Sequence, residues 1–174
     1  MIARPKLSDT PEYYRYYLNL LTQDDVLSAL AHNTIRVREV MGAFPEASGD
    51  FRYAPEKWTV KQLLQHIIDT ERIFSYRLMR LARRDSTALQ GFDENWFAQH
   101  DNSSALTLVQ VCEEFEAVRR ATEVLVSNVP ADNWDFRGNA NGMEVTPRAI
   151  AWMIAGHSAH HVRILVERYV PTTT

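Results

Sequence analysis

Cysteine, glycine and proline are scarce in this sequence of 174 residues, which has one cysteine, six glycines and seven prolines. The single Cys112 excludes a disulfide within the chain, as is typical of proteins from reducing compartments. Glycine and proline fall mainly at the borders of periodic segments, where they separate helices. These scarcities favour a helical protein without covalent cross-links.

The sequence also lacks a basic excess and long apolar runs. Its formal net charge is −3 and its pI about 6.1, which argues against a nucleic-acid-binding protein. No apolar run approaches the ~18 residues that span a bilayer. The segment from Met1 to Tyr17 has no apolar region typical of a secretory signal. We therefore expect a cytoplasmic protein that has neither nucleic acid nor membrane as a partner.

The chain carries instead four long amphipathic segments. Its length and its 45% hydrophobic and 24% charged content fit one globular domain over residues 1–174. Apolar residues recur every three or four positions in each segment, whereas no convincing alternating strand pattern is present. The pattern predicts an all-α four-helix bundle, preceded by a short aromatic helix at 11–21.

Capping signals mark where these helices begin. Thr22 with Asp25 resembles a capping box before the first long helix. Thr59 with Gln62 forms a better one before the second, and Thr146 with the following proline precedes the fourth. Residues 85–104, between the second and third long helices, show little periodicity and make a long connection for a compact domain.

Two histidines occupy the core stripe of the fourth helix, where packing calls for apolar residues. His157 and His161 are four residues apart, so both rings reach a common point, as in a helical metal chelate. His66 lies at the margin of the second helix's stripe and is the third candidate ligand. Three imidazoles with one open position suit a catalytic type of metal site. The alternative is that these histidines are structural and bonded to backbone or water.

The depth of the histidines in their helices predicts the topology. His66 lies roughly 10 Å from the start of its helix and His161 roughly 12 Å from the end of its own. The three rings therefore meet only if the second and fourth helices are antiparallel. That arrangement is up-down-down-up and needs a crossover between helices two and three. The 85–104 connection reaches up to roughly 66 Å, enough to span a helix of roughly 36 Å.

Two acidic residues follow His66. Asp69 is close enough in angle to orient a ligand or to accept a substrate proton, and we take it as the candidate catalytic residue. Glu71 points elsewhere, towards an arginine. A structural salt bridge is the alternative role for each.

The remaining histidine, cysteine, aromatic and arginine residues are not predicted to bind the metal. We expect His160 to be exposed or to contact a metal-binding histidine without binding the metal itself. We expect His32 and His100 to be surface residues. Cys112 borders a core face and is expected to be inert. Trp96 and Phe97 either line a substrate mouth or pin the connection to the bundle. The arginines from Arg72 to Arg84 either hold an anion or form a solvated helix end.

Several short motifs resemble the DinB superfamily, which includes YfiT-type metal-dependent hydrolases. The resemblance covers about residues 13–169. The matching pieces are Lys57–Val60, His66 with Asp69, Glu71 and Arg72, Arg77, Arg83–Asp85, Gly91–Asp93, Asn141–Gly142 and Gly156–His161. It implies a four-helix bundle with a crossover and a metal ion held by His66, His157 and His161.

The resemblance also implies a function class. It suggests a divalent metal, Zn²⁺ or Ni²⁺ foremost with Fe²⁺ or Mn²⁺ as alternatives. The implied activity is small-thiol S-transfer or hydrolysis on a small-molecule substrate, in a homodimer, and the partner would be a low-molecular-weight thiol. A non-catalytic metal-binding or stress-sensing module is the alternative. Ser158 stands where the family often has an acidic residue, which weakens the expectation of hydrolysis.

Overall fold

The computed structural model describes residues 1–170 and consists almost entirely of helices. The helices are α1 (Glu12–Leu18), α2 (Val26–Gly42), α3 (Val60–Ala82), α4 (Glu94–His100), α5 (Leu108–Ser127) and α6 (Pro147–Ile164). Leu165–Tyr169 prolongs α6 as a π-helical turn. The four long helices α2, α3, α5 and α6 form a bundle, which confirms the predicted fold class. The predicted domain includes residues 171–174, which lie outside the described residues.

The core consists of two hydrophobic clusters at opposite ends of the bundle. One surrounds the buried Trp152 and joins the first half of α6 to the second half of α3. The other surrounds Phe115 and joins the first halves of α3 and α5 to the end of α2. Burial of these apolar side chains is the main contribution to folding. The three candidate histidines lie on α3 and α6 where one cluster gives way to the other.

Hydrogen bonds between the helices show their relative directions. The Tyr169 hydroxyl, just after α6, donates to the carbonyl of Trp58, just before α3. At the other end of α3 the Asn133 amide, ahead of α6, donates to the Ala82 carbonyl, so α3 and α6 run antiparallel. Helices α3 and α5 run parallel, because Gln65 bonds Glu114 and Ser75 bonds Thr122. These two relations agree with the predicted up-down-down-up order, which as a whole stays a prediction.

A buried ion pair joins three of the four long helices. The Arg119 guanidinium on α5 donates from Nε and Nη2 to the Glu71 carboxylate on α3, at 2.8–3.2 Å, and both side chains are at most 2% exposed. Its Nη1 donates to the Leu30 carbonyl of α2 at 2.8 Å. Every charge in this pair is therefore hydrogen-bonded, as a buried pair requires. The expectation that Glu71 reaches an arginine is confirmed.

The predicted start of the first long helix was wrong. Asp25, and not Thr22, caps α2: its carboxylate accepts from the backbone N–H of Ser28 at 3.2 Å. The same carboxylate accepts from the N–H of Ile2 at 2.6 Å and so holds the N-terminal segment on the bundle. The capping box of Thr59 and Gln62 at the start of α3 is confirmed.

The connection at 85–104 is less irregular than its sequence indicates, because it contains α4. The Asp93 carboxylate caps this helix by accepting from the N–H groups of Asn95 and Trp96. Gln62 on α3 donates from its side chain to the Ala98 carbonyl, which fastens α4 to the bundle. Seven residues are too few to show a clear periodic pattern in the sequence. A helix this short is marginal by itself, so its packing on the bundle stabilises it.

The expectation of no strands was also wrong. Residues Gly138–Ala140 (β1) and Met143–Val145 (β2) pair as an antiparallel hairpin. Its turn residues, Asn141 and Gly142, have φ values of 54° and 75°, as this class of two-residue turn requires. The Asn-Gly dipeptide is thus the signal that indicates the hairpin, since three-residue strands are too short to show alternation.

The buried pair predicts a test of the bundle. Glu71→Gln removes one charge and leaves Arg119 buried without its counter-ion, so we expect unfolding to become easier by about 3–5 kcal/mol. Urea unfolding followed by circular dichroism measures this. The matched control is Glu116→Gln, which removes the partner of the exposed Arg38 and should change stability little. Equal effects of the two substitutions would contradict a structural role for the pair.

Candidate metal centre

The three predicted histidines come together at one point between α3 and α6. Their Nε2 atoms lie 3.1 Å apart for His66 and His157, 3.2 Å for His66 and His161, and 3.1 Å for His157 and His161. His157 and His161 on α6 are buried, each only 7% exposed, and His66 is partly buried. The three form a cluster that could hold a metal ion.

The spacing of the nitrogens fits a metal ion. Tetrahedral coordination at the usual zinc–nitrogen distance places ligand nitrogens roughly 3.3 Å apart, close to the separations here. The alternative of structural histidines predicts backbone or water partners for these nitrogens. They face one another instead, and three neutral imidazoles cannot all donate within one triangle. The donor set therefore fits a divalent cation.

Burial keeps these imidazoles neutral, which is the state that binds a metal. Burial lowers the pKa of His66 to about 4, with a smaller effect from His160. It also lowers the pKa of His157 and His161 well below the ordinary histidine value, and the neighbouring rings lower both further. Protons therefore compete weakly for the site at neutral pH.

Aromatic neighbours pack against the rings of His66 and His157. The Trp58 ring lies against His66 with centroids 4.7 Å apart, at the capped start of α3. On α6, Gly156 precedes His157 and faces the backbone of α1, where a Cβ would lie 2.6 Å from the Tyr17 carbonyl oxygen. Glycine thus permits α1 to approach α6 closely. The approach brings the Tyr17 ring within 6.0 Å of the His157 ring.

The histidines border a cavity of about 600 Å³. That volume falls within the range of small-molecule sites. Its walls come from α1, α3, α6, the α3–α5 connection and the hairpin. The lining residues are Tyr13, Tyr14, Tyr17, Trp58, His66, Thr70, Phe74, Arg77, Phe92, Glu94, Asn141, Met143, Met153, His157, His160 and His161. Periodicity alone did not identify most of them, because the chain assembles them from five separate segments.

Asp69, the candidate catalytic residue, does not line this cavity. Its carboxylate accepts from Gln65 at 3.1 Å and from Arg72 at 3.4 Å, on the side of α3 that faces Glu114 of α5. Burial raises its pKa. The structure therefore places Asp69 in a polar contact between helices and outside the cavity lining, because it lies about 60° around α3 from His66 on the side away from Thr70.

His160 and Ser158 have different surroundings from the ligand candidates. The Nδ1 atom of His160 lies 3.1 Å from the Tyr16 hydroxyl, and its ring borders the cavity outside the three-histidine cluster. Ser158 is buried, its hydroxyl has no hydrogen-bond partner among the described residues, and it does not line the cavity. An acidic group at position 158 would therefore not face this cavity directly.

The remaining candidates lie away from the histidine cluster. Burial raises the pKa of Cys112 to about 11, which agrees with an inert thiol. His32 is exposed on α2. His100 stacks on the exposed Trp96 with ring centroids 4.1 Å apart. Phe97 contacts Phe92, which lines the cavity, so it supports the wall from outside.

Comparison with known proteins places this geometry in a family. The DinB superfamily profile matches residues 29–165, which include all three histidines. The chain belongs to the DinB superfamily. YfiT from Bacillus subtilis, described as a probable metal-dependent hydrolase with an unusual four-helix bundle topology, has the same fold. The two align with a TM-score of 0.72 and 14% identity over 94% of this chain and 90% of that one. Comparison with curated proteins finds no significant match.

No helix among residues 1–170 combines the length and apolar character needed to cross a membrane.

The lowered histidine pKa values predict how the metal-free protein responds to acid. Between about pH 6.5 and 4 the unfolded chain binds protons on His66, His157 and His161 that the folded chain does not. Stability therefore falls as the pH falls through this range, by about 1.4 kcal/mol per pH unit for each such proton. Urea unfolding of chelator-treated protein at several pH values measures the slope.

A pair of variants separates the contribution of the buried histidines to the pH slope from that of carboxylates that titrate in the same range. His157→Gln should make the pH slope shallower, since one buried imidazole is gone. His32→Asn, which changes an exposed histidine, should leave the slope unchanged. A slope that is the same in all three proteins would contradict the lowered pKa values.

Proposed function

We propose that this DinB-superfamily protein is a metal-dependent enzyme that activates a small thiol for attack on an electrophilic substrate. The observation that carries the proposal is the convergence of three neutral imidazole nitrogens, 3.1–3.2 Å apart, on the wall of a 600 Å³ cavity. A divalent cation at such a site acts as a Lewis acid and lowers the pKa of a thiol or water that reaches it.

The protein's own residues supply position and environment. His66, His157 and His161 are neutral ligands, so they leave the full charge of a divalent cation to favour a thiolate over a thiol. Tyr17 and Trp58 place aromatic rings beside these histidines and limit the access of water. Cys112 is absent from the cavity lining, so the attacking thiol comes from a second molecule.

A catalytic site is favoured over a closed structural one. Among the described residues the candidate ligand cluster consists of three histidines, with no fourth histidine, cysteine or carboxylate in it. A structural zinc site usually has four protein ligands, whereas a catalytic site keeps one position open. The open side here meets the cavity, which supports an enzyme over a non-catalytic sensing module.

Hydrolysis is the second candidate. YfiT, whose fold this chain shares, is described as a probable metal-dependent hydrolase. The same cation would activate water in place of a thiol.

Imidazole ligands accept several metals, and we propose Zn²⁺ or Ni²⁺ ahead of Fe²⁺ and Mn²⁺.

Metal analysis and a paired activity assay test the proposal. Protein purified without a histidine tag should contain one divalent metal per chain, measured by mass spectrometry of the metal. His157→Ala should lose the metal while its far-ultraviolet circular dichroism stays helical. Thiol transfer to an electrophile with a coloured product should fall at least about 100-fold in that variant.

Cys112→Ala is the control for the nucleophile and should keep most of the rate. Activity that survives chelation but disappears in Cys112→Ala would overturn the proposed mechanism. Turnover with water and no added thiol would instead select hydrolysis.

We also propose that the protein is a homodimer. The aromatic helix α1 packs on its own bundle through the buried Tyr14, yet Tyr13 and Tyr16 remain 59% and 49% exposed. Exposed aromatic area of this kind favours association. Light scattering at micromolar concentration should give a mass close to twice 20.1 kDa. A monomeric mass under those conditions contradicts the dimer.

A further inference from the structure

The cavity extends from the histidines along one face of α3. His66, Thr70, Phe74 and Arg77 all line it, and they are spaced by four, four and three residues. Side chains with that spacing lie above one another on a helix. A molecule bound at the histidines can therefore extend past Thr70 towards Arg77 without leaving the cavity.

Arg77 differs from the other arginines near the end of α3. Its side chain is only 4% exposed, and Nη2 donates to the Gln90 carbonyl oxygen at 2.7 Å. Its Nε is buried without a partner, and no carboxylate among the described residues lies within ion-pair distance of it. Arg80 pairs with Asp85, and Arg83 is exposed. Arg77 is therefore a buried cation without a counter-ion.

Two further donors in the same wall also lack partners. The Tyr14 hydroxyl and the Thr70 hydroxyl are buried and make no hydrogen bond among the described residues. Their side chains are 1% and 3% exposed, and both line the cavity. Leaving a buried donor without an acceptor costs about 1–3 kcal/mol for each group. Three such groups belong to residues that line one cavity, which makes this wall a candidate site for a ligand that supplies the acceptors.

The chemistry of the donors selects an anion. A guanidinium presents its donors as a planar fork that matches the two oxygens of a carboxylate. Burial raises the pKa of Tyr14, so its hydroxyl remains a donor at neutral pH. Burial lowers the pKa of Arg77, although a guanidinium keeps its proton at neutral pH. Glu94 also lines the cavity, but it is exposed and forms no ion pair with Arg77.

We infer that the substrate carries a carboxylate that binds at Arg77, Tyr14 and Thr70 while its reacting group lies at the three histidines. This inference rests on the proposed function for the identity of the reacting end, but the carboxylate subsite stands on its own contacts. The α-carbons of His66 and Arg77 are separated by roughly 16 Å along the helix axis. Both side chains tilt towards the N-terminus and the arginine is the longer one, so the gap between the histidines and the guanidinium is on the order of 10 Å.

A series of ω-mercaptoalkanoates tests whether one ligand can occupy the histidine site and the Arg77 site together. These molecules carry a thiol at one end and a carboxylate at the other, and chains of three to twelve carbons cover the gap. Their methyl esters keep the thiol and remove the charge. Calorimetric titration of zinc-loaded protein should give a maximum in affinity at one intermediate chain length. The acid of that length should bind at least about 10-fold more tightly than its ester.

Substitutions assign the preference for the acid to these residues. Arg77→Met should weaken binding of the acid by about 10- to 100-fold and leave the ester almost unchanged. Tyr14→Phe, which removes only a hydroxyl, should weaken the acid by a few-fold. Arg83→Met changes an exposed arginine of the same helix end and should have no effect. Circular dichroism and thermal unfolding check that each variant is folded. If Arg77→Met does not fold, the loss of acid affinity in Tyr14→Phe tests the carboxylate subsite.

Metal-free protein separates this inference from the proposed function. After chelation the acid should still bind more tightly than the ester, although both bind more weakly than to zinc-loaded protein. Equal affinities for acid and ester in the wild type would overturn the carboxylate subsite. Affinities that do not depend on zinc would instead contradict thiol activation, while an acid preference lost in Arg77→Met would still support the subsite.

Discussion

Three imidazole nitrogens that face one another at 3.1–3.2 Å are the constraint on which this structure depends. Burial opposes protonation of these rings, and no set of neutral tautomers lets all three nitrogens hydrogen-bond to one another. The hydrophobic clusters on either side of the histidines must therefore hold α3 and α6 together against a locally unfavourable contact. A divalent cation held by His66, His157 and His161 would convert the same contact into an attraction, so metal binding would be linked to stability.

The order of the helices follows from that contact. His66 lies near the start of α3 and His161 near the end of α6, so the rings meet only when these helices are antiparallel. With α3 and α5 parallel, the chain must return along the bundle between Ala82 and Leu108. This returning segment supplies Phe92 and Glu94 to the cavity. The connection that the histidine geometry requires thus also forms a wall of the site.

Much of the fold could be predicted because its signals are local. Apolar spacing predicts the long helices, Thr59 with Gln62 predicts the start of α3, and two histidines on a core stripe indicate the metal site. The rest depends on tertiary contacts. Helix α4 is too short to show periodicity, and the hairpin is indicated only by its Asn-Gly turn. Asp69 was predicted from its angle to His66 on the helix, whereas it lies among Gln65 and Arg72 on the side of α3 that contacts α5.

Among residues 1–170 two arginines are buried, and the contrast between them separates structure from function. Arg119 has every donor group engaged, with Glu71 as counter-ion and α2 as an additional acceptor. Its charge is neutralised within the protein, so it needs no ligand. Arg77 is nearly as buried, has one hydrogen-bond partner in the Gln90 carbonyl and lies over the Phe74 ring, and it lines the same cavity as His66. A bundle that neutralises one buried cation internally gains nothing in stability from leaving a second one unpaired. The unpaired charge is instead suited to a partner that arrives from outside, and the histidines fix which end of that partner reacts.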